Sequence, residues 1–330
     1  MKALVTGGGG FIGSHVVRSL LEDGHSVRVL HLPDEDVSHL EGSDSVSFET
    51  GDTRDADRMR EVVDGCDWVF HLAALYRIWM PDPDPIYQVN VEGTRNVMNA
   101  SIDAGVERII YTSSLVVYQP VEGVPITEER PLRDYDGTDD YTRSKLQAHQ
   151  LVQEYVEDGH DIVITAPTLP IGPGDFGPTP TGRILLSTIR NPIAVTLDTD
   201  ANCGDVRDIA RGHVLAAEKG KSGESYLLGG QNTSMKELAR LVQEVTGTSK
   251  PVVSPPPFVT KAMANLLELY SDWVSGEPPD FTPAAIEVAQ MGFDADCTKA
   301  KTELGLPERA HGESVKDALE WFKANGYVDY

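Results

Sequence analysis

The chain has 330 residues, with 52 Asp plus Glu against 28 Lys plus Arg and a formal charge of -24. Such a field repels phosphate backbones and anionic headgroups, which argues against nucleic-acid and membrane-surface partners, and no apolar run reaches membrane-spanning length. Cys66, Cys203 and Cys297 lie far apart, and His25, His31 and His39 sit in polar turns without carboxylate partners at ligand spacing, so neither a disulfide framework nor a metal site is expected.

Strands are predicted at 2–6 (KALVT), 26–32 (SVRVLHL), 45–50, 67–73, 108–114 and 161–167, each short, β-branched and bounded by Gly, Asp or Pro. Segments with helical spacing fill the gaps, several of them ended by glycine. This alternation predicts an α/β fold with a parallel sheet wound by helices on both faces. After residue 167 the rhythm breaks. PTLPIGPGDFGPTPTG is too rich in Pro and Gly for a helix or a central strand and is expected to be a long ordered loop. GDVRDIARGHVLAAEKG then reads as a helix, ESYLLGG as a strand that rejoins the first sheet, and SMKELARLVQEVTG as a helix capped by Ser234 or Thr233. A proline-rich break precedes an apolar helix, and the final stretch from Cys297 gives two more. The expected organisation is a sheet domain over 1–170, rejoined by roughly 205–230, and a smaller, mostly helical substrate lobe over 171–204 and 231–330. The first residues carry no secretory pattern, so a cytoplasmic protein is expected. The acids are scattered rather than gathered in a tail, which suits a surface kept soluble at high salt. A halophilic source is the working hypothesis; a folding midpoint that does not rise between low and molar salt would count against it.

LVTGGGGFIGSHVV places Gly7, Gly10 and Gly13 between the first strand and the first helix, with Phe11 and Ile12 at the turn. Glycine lets the backbone turn tightly and approach a pyrophosphate, and the helix N-terminus supplies free N–H groups. In that context the loop predicts dinucleotide binding in a Rossmann-type fold. At the end of the second strand an acid would accept the ribose 2'-hydroxyl of NAD, whereas an arginine would favour the 2'-phosphate of NADP. His31 and Leu32 occupy those positions, and Asp34 and Asp36 are within reach; the expectation leans to NAD. After the third strand, Asp52, with Thr53 beside it, is expected either at the adenine amino group or as a helix cap.

Thr112, Ser113 and Ser114 end the fifth strand at its carboxyl edge, where an open α/β sheet places its ligand. DDYTRSKLQAHQ then puts Tyr141 four residues before Lys145, one turn apart on the same helix face. A free phenol ionises near pH ~10, and a neighbouring ammonium lowers that value. Tyr141 would then exchange a proton with a substrate hydroxyl or carbonyl oxygen, Ser114 would hold that oxygen, and Lys145 would also bond the nicotinamide ribose.

TGGGGFIG, FHLAA, NVEGTRNV, YTSS, YTRSK and DVRDIA occur in the order found in the extended short-chain dehydrogenase/reductase superfamily, also described as the NAD-dependent epimerase/dehydratase family, which the chain resembles over essentially its full length. The resemblance implies that Ser114, Tyr141 and Lys145 are a catalytic triad and that Asn90 supports the lysine. It further implies that His71, Leu72, Ala73 and Ala74 line the cofactor and that Pro167 and Thr168 flank the nicotinamide. Within the superfamily, ALYRIWMPDPDPIYQVNVEGTRN, PTLPIGPGDFGPTPTGRI and WFKANGY resemble the dihydroflavonol-reductase-like branch that includes hopanoid-associated sugar epimerases. That branch usually has an arginine after the second strand, where Leu32 stands.

Three functions compete. A carbonyl/alcohol oxidoreductase and a sugar or nucleotide-sugar epimerase or dehydratase would use the same triad. Nucleotide-sugar enzymes of the superfamily generally place an arginine shortly before DVRDIA; Ala201 occupies that place, with Arg183 as a possible substitute. The expectation is a less charged, partly apolar carbonyl or alcohol contacted by Tyr76, Trp79 and Phe176. The third reading, a non-catalytic dinucleotide sensor, fits poorly with a Tyr/Lys pair. A homodimer is a further expectation, since Leu146, Leu151, Val152 and Tyr155 form an apolar stripe; burial within one chain would produce it too.

Overall fold

The structure, a computed structural model, describes residues 1–77, 80–134, 139–270 and 292–330. Seven parallel strands form its main sheet: β1 (Lys2–Thr6), β2 (Ser26–His31), β3 (Val46–Thr50), β4 (Trp68–His71), β5 (Arg108–Thr112), β6 (Ile162–Pro167) and β10 (Ser225–Leu228), in spatial order β10-β6-β5-β4-β1-β2-β3. The order reverses between β1 and β4. This is the crevice in which a doubly wound sheet receives a ligand.

Alternation within each strand sends side chains to two cores. Ala3 and Val5 of β1 join Val16, Val17 and Leu20 of α1 (Phe11–Glu22) and Val214 of α7 (Val206–Lys219) on one face. Leu4 joins Met59 of α2 (Ala56–Val63), Met98 of α4 (Gly93–Asp103) and Val152 of α5 (Asp140–Glu157) on the other. The helix before α5 is continuous in space but not uniform. α3 (Asp84–Tyr87) passes through a π-helical turn at Gln88–Glu92 before α4 begins.

The predicted loop after residue 167 differs from expectation. Leu169–Ile171 is β7, the edge of a three-stranded sheet with β9 (Asp200–Asp205) and β11 (Gln231–Ser234), and Pro170 is tolerated because an edge strand need not donate on both sides. The same stretch also starts a helix, α6 (Pro180–Arg190): Thr179 caps it and Pro180 stands at the first position, where no N–H is needed. α8 (Met235–Thr246) carries the predicted cap as a full capping box between Ser234 and Glu237. Of the two terminal helices expected, the first is only a π-type turn, Ala300–Leu304, and the second spans His311–Ala324.

The three cysteines are free and buried, as small apolar residues. The stripe on α5 is occupied within the chain: Leu146, Leu151 and Val152 are buried and Tyr155 packs on the same core, so it supplies no face for a second copy. Among the described residues no helix is long and apolar enough to cross a membrane.

Candidate active site

A cavity of about 1270 Å³ runs along the carboxyl edge of the main sheet. A pocket for one drug-sized ligand holds roughly 300–1,000 Å³, so there is room for two molecules side by side. Its floor is the glycine loop. Gly7 has φ +68°, and a Cβ there would stand 2.8 Å from the Ala73 nitrogen; a Cβ on Gly13 would stand 2.1 Å from the Gly7 carbonyl oxygen. Only glycine permits that closeness of the β1 turn, the β4 exit and the first turn of α1. Gly10 is the helix N-cap and makes no side-chain cap, leaving the first N–H groups of α1 open to an anion.

Phe11, Ile12, His31, Leu32, Asp52, Thr53, Leu72, Ala73 and Ala74 also line this end, as predicted. Asp52 is not a helix cap, since Asp55 caps α2; its carboxylate grips the Arg54 guanidinium at 2.6–3.1 Å. Asp36 turns away to the Ser38 N–H, and the acid that folds onto the loop is Glu35. Sequence reasoning passed over Glu35 because the turn that aims it is a tertiary outcome.

At the other end stand Thr112, Ser114, Tyr141, Lys145, Pro167 and Thr168. Ser114 leaves β5 in extended conformation and its oxygen caps a short turn through the Val116 N–H. Asp139 caps α5 through the Thr142 N–H and hydroxyl, which fixes Tyr141 in the first turn and Lys145 one turn on. Burial pushes the Tyr141 phenol well above its ordinary pKa, the neighbouring Tyr76 adds to this, and a hydrogen bond with Ser114 opposes it. Burial lowers Lys145 to about 7. The expected lysine-driven lowering of the phenol is therefore not seen in the ligand-free chain: the Lys145 ammonium donates to the Thr112 carbonyl at 2.7 Å.

Asn90 lies in the π-helical turn and does not bond Lys145. Its amide accepts from the Leu75 N–H at 2.7 Å, donates to the Leu75 carbonyl at 3.2 Å, and donates to Ser144 at 2.9 Å. Ser144 in turn donates to the Tyr141 carbonyl at 2.8 Å. His71 anchors the same wall from behind. Thr94 spends its proton on the Asn90 carbonyl, so it accepts from His71 Nε2–H; His71 Nδ1 then accepts from Thr6, which accepts the Ala73 N–H. Burial lowers His71 to about 3, which keeps it neutral in that role.

Of the predicted substrate residues, only Tyr76 is in the wall, its ring 4.5 Å from that of Tyr141. Trp79 lies outside the described residues. Phe176 is drawn off by aromatic neighbours, 4.3 Å from His39 and 5.0 Å from Trp321, and is not part of the wall. Arg183 is exposed on the outer side of α6, where its charge still reaches Tyr76. The substrate end is instead closed by Val116, Ile184, Leu197, Met235 and Phe293, from segments far apart in sequence. Ala201 is in this wall, buried. Among the described residues, Arg54 at the adenosine end and Lys145 are the only lining cations.

Residues 3–229 match the model of the NAD dependent epimerase/dehydratase family. The chain belongs to that family. It is 34% identical to the putative dihydroflavonol 4-reductase of Synechocystis sp. (98% of this chain, 95% of the relative) and 30% identical to sterol demethylase protein B of Methylococcus capsulatus (99% and 100%). The crystal structure of gox2253 superposes with a TM-score of 0.87 at 36% identity, covering 99% of each chain. The seven-stranded Rossmann-type fold is thus that of the family.

A nicotinamide dinucleotide fits what is present. The glycine cradle and open helix end suit a pyrophosphate, and the buried Thr168 hydroxyl at the far end has no partner within the chain, as a carboxamide-binding group would.

Proposed function

We propose that the protein is an NAD(P)-dependent oxidoreductase acting on a carbonyl or secondary alcohol whose body is apolar and carries no phosphate. The observation that carries this is the pairing of Ser114, Tyr141 and Lys145 with a substrate end that is apolar and, apart from Lys145, free of lining cations among the described residues. A nucleoside-diphosphate sugar would bury two phosphates there with no guanidinium to meet them, which tells against the epimerase reading. The names of the relatives, a dihydroflavonol reductase and a sterol demethylase protein, agree with an apolar substrate.

The glycine loop and the β4 exit would hold the dinucleotide, with Thr168 and Pro167 beside its nicotinamide. When bound, that ring accepts or gives a hydride. Ser114 hydrogen-bonds the substrate oxygen and keeps it beside the Tyr141 hydroxyl. Tyr141 is a neutral phenol in the free chain, ready to give its proton to a carbonyl oxygen in the reducing direction; in the other direction it must first ionise, which requires positive charge nearby. Lys145 supplies such a charge when protonated. The apolar wall keeps water from the reacting oxygen.

The test is consumption of NADH or NADPH against a panel of apolar ketones, with Tyr141→Phe alongside. We expect the variant to lose roughly a hundredfold to ten-thousandfold in kcat with dinucleotide affinity kept. Unchanged turnover in Tyr141→Phe would remove the assigned role, and tightly retained NAD+ with no net ketone reduction would favour an epimerase or dehydratase.

A further inference from the structure

The adenosine end holds a carboxylate that the strand-end rule does not anticipate. Residues 32–35 form a tight turn, with the Glu35 N–H donating to the Leu32 carbonyl at 3.1 Å. The turn brings the Glu35 side chain back under itself: one carboxylate oxygen accepts the Leu32 N–H at 3.1 Å. The other lies across the glycine loop, 2.4 Å from where a Cβ on Gly9 would be. Gly9 has no positive φ, so its lack of a side chain answers this contact and that of Val37 rather than a backbone demand.

Resting on the dinucleotide reading above, we infer that Glu35, pinned between Leu32 and Gly9, is the group that recognises the adenosine ribose and turns away a 2'-phosphate. One oxygen is fixed by the backbone, which leaves the carboxylate oriented with lone pairs to spare for ribose hydroxyls. Around it the cavity carries Asp34 and Asp52, and the single nearby cation, Arg54, is already gripped by Asp52. A phosphate there would meet three acids and displace an ion pair.

The contact with Gly9 makes the inference separable from a general loss of the fold. Gly9→Ala leaves the turns of Gly7 and Gly13 untouched but pushes the Glu35 carboxylate off the loop.

Binding of NAD+ and of NADP+ to the full chain, measured by titration calorimetry, gives the readout. The wild type should bind NAD+ roughly tenfold to hundredfold more tightly than NADP+. Glu35→Gln and Gly9→Ala should both shrink that ratio, mainly by weakening NAD+ in Gly9→Ala and by strengthening NADP+ in Glu35→Gln. Equal binding of both by the wild type, or a ratio unchanged in Glu35→Gln, overturns the role of Glu35. A Gly9→Ala protein that keeps the wild-type ratio overturns the pinning. Failure of the wild type to bind either dinucleotide would instead defeat the reading on which the inference rests.

Discussion

The Lys145 ammonium nitrogen lies 2.7 Å from the Thr112 carbonyl oxygen and 5.2 Å from the centre of the Tyr111 ring. It is fully enclosed, and burial lowers its pKa to about 7 from a usual 10.5. Above pH 7 the folded chain has released this proton while the unfolded chain still holds it. Stability should therefore rise between pH 7 and about 8.5, below the range in which unfolded thiols ionise. Below pH 7 both states are protonated and the cost of enclosing the charge is present in full. Lys145→Met should flatten that rise and lift the pH 7 melting temperature of ligand-free protein by a few degrees. Urea midpoints at the two pH values check this; parallel slopes in wild type and variant would contradict it.

Acid acts on a different set. His15, His149 and His213 are lowered to about 4 and His71 to about 3, in each case chiefly by burial. The unfolded chain takes up these protons near pH ~6.5, and the folded chain refuses them until well below. Their contribution to stability is whole above pH 6.5 and is lost as pH falls towards 4, each by up to about 1.4 kcal/mol per pH unit. His149 bonds Ser113 at 2.8 Å. His149→Gln retains a hydrogen-bonding partner for Ser113 without the titration, so its melting temperature should fall less between pH 6.5 and 5 than that of the wild type. An equal fall in both would show that the ring does not titrate as described.

Asn90 joins the cavity wall to α5. Asn90→Ala leaves the Leu75 N–H without its acceptor and should cost about 1–3 kcal/mol. It also frees the segment that carries Tyr76 over Tyr141. Hydrogen exchange at the Leu75 amide should quicken well beyond that of β4, while exchange in β1 and β5 stays slow. Uniform quickening would mean that Asn90 supports the whole sheet, and no change would mean that the clamp is dispensable.

The parts of this molecule that could be read in the sequence are those whose cause is local. Gly7, Gly10 and Gly13 announce their turn because the strand before and the helix after are also local. Tyr141 and Lys145 share a face by helical spacing alone. Glu35 and Asp36 could not be told apart, since which of two nearby acids faces the loop depends on a tight turn closing at Leu32. Phe176 was assigned to the substrate because an aromatic in a glycine-rich loop suggests a site; its actual neighbours, His39 and Trp321, come from opposite ends of the chain. The wall formed by Leu197, Met235 and Phe293 has the same origin, three separate segments meeting only once the small sheet is built.

The return of the chain to the main sheet at β10 ties the two lobes into one heritable and foldable unit. All six residues of β6 are buried, and its outer edge is covered by a strand that arrives about sixty residues later. A fragment ending near residue 170 would contain the whole glycine loop and the Ser/Tyr/Lys group, yet would present β6 as a bare apolar edge. Exchange of substrate lobes between relatives must then splice at both sides of α7 and β10, not at a single junction.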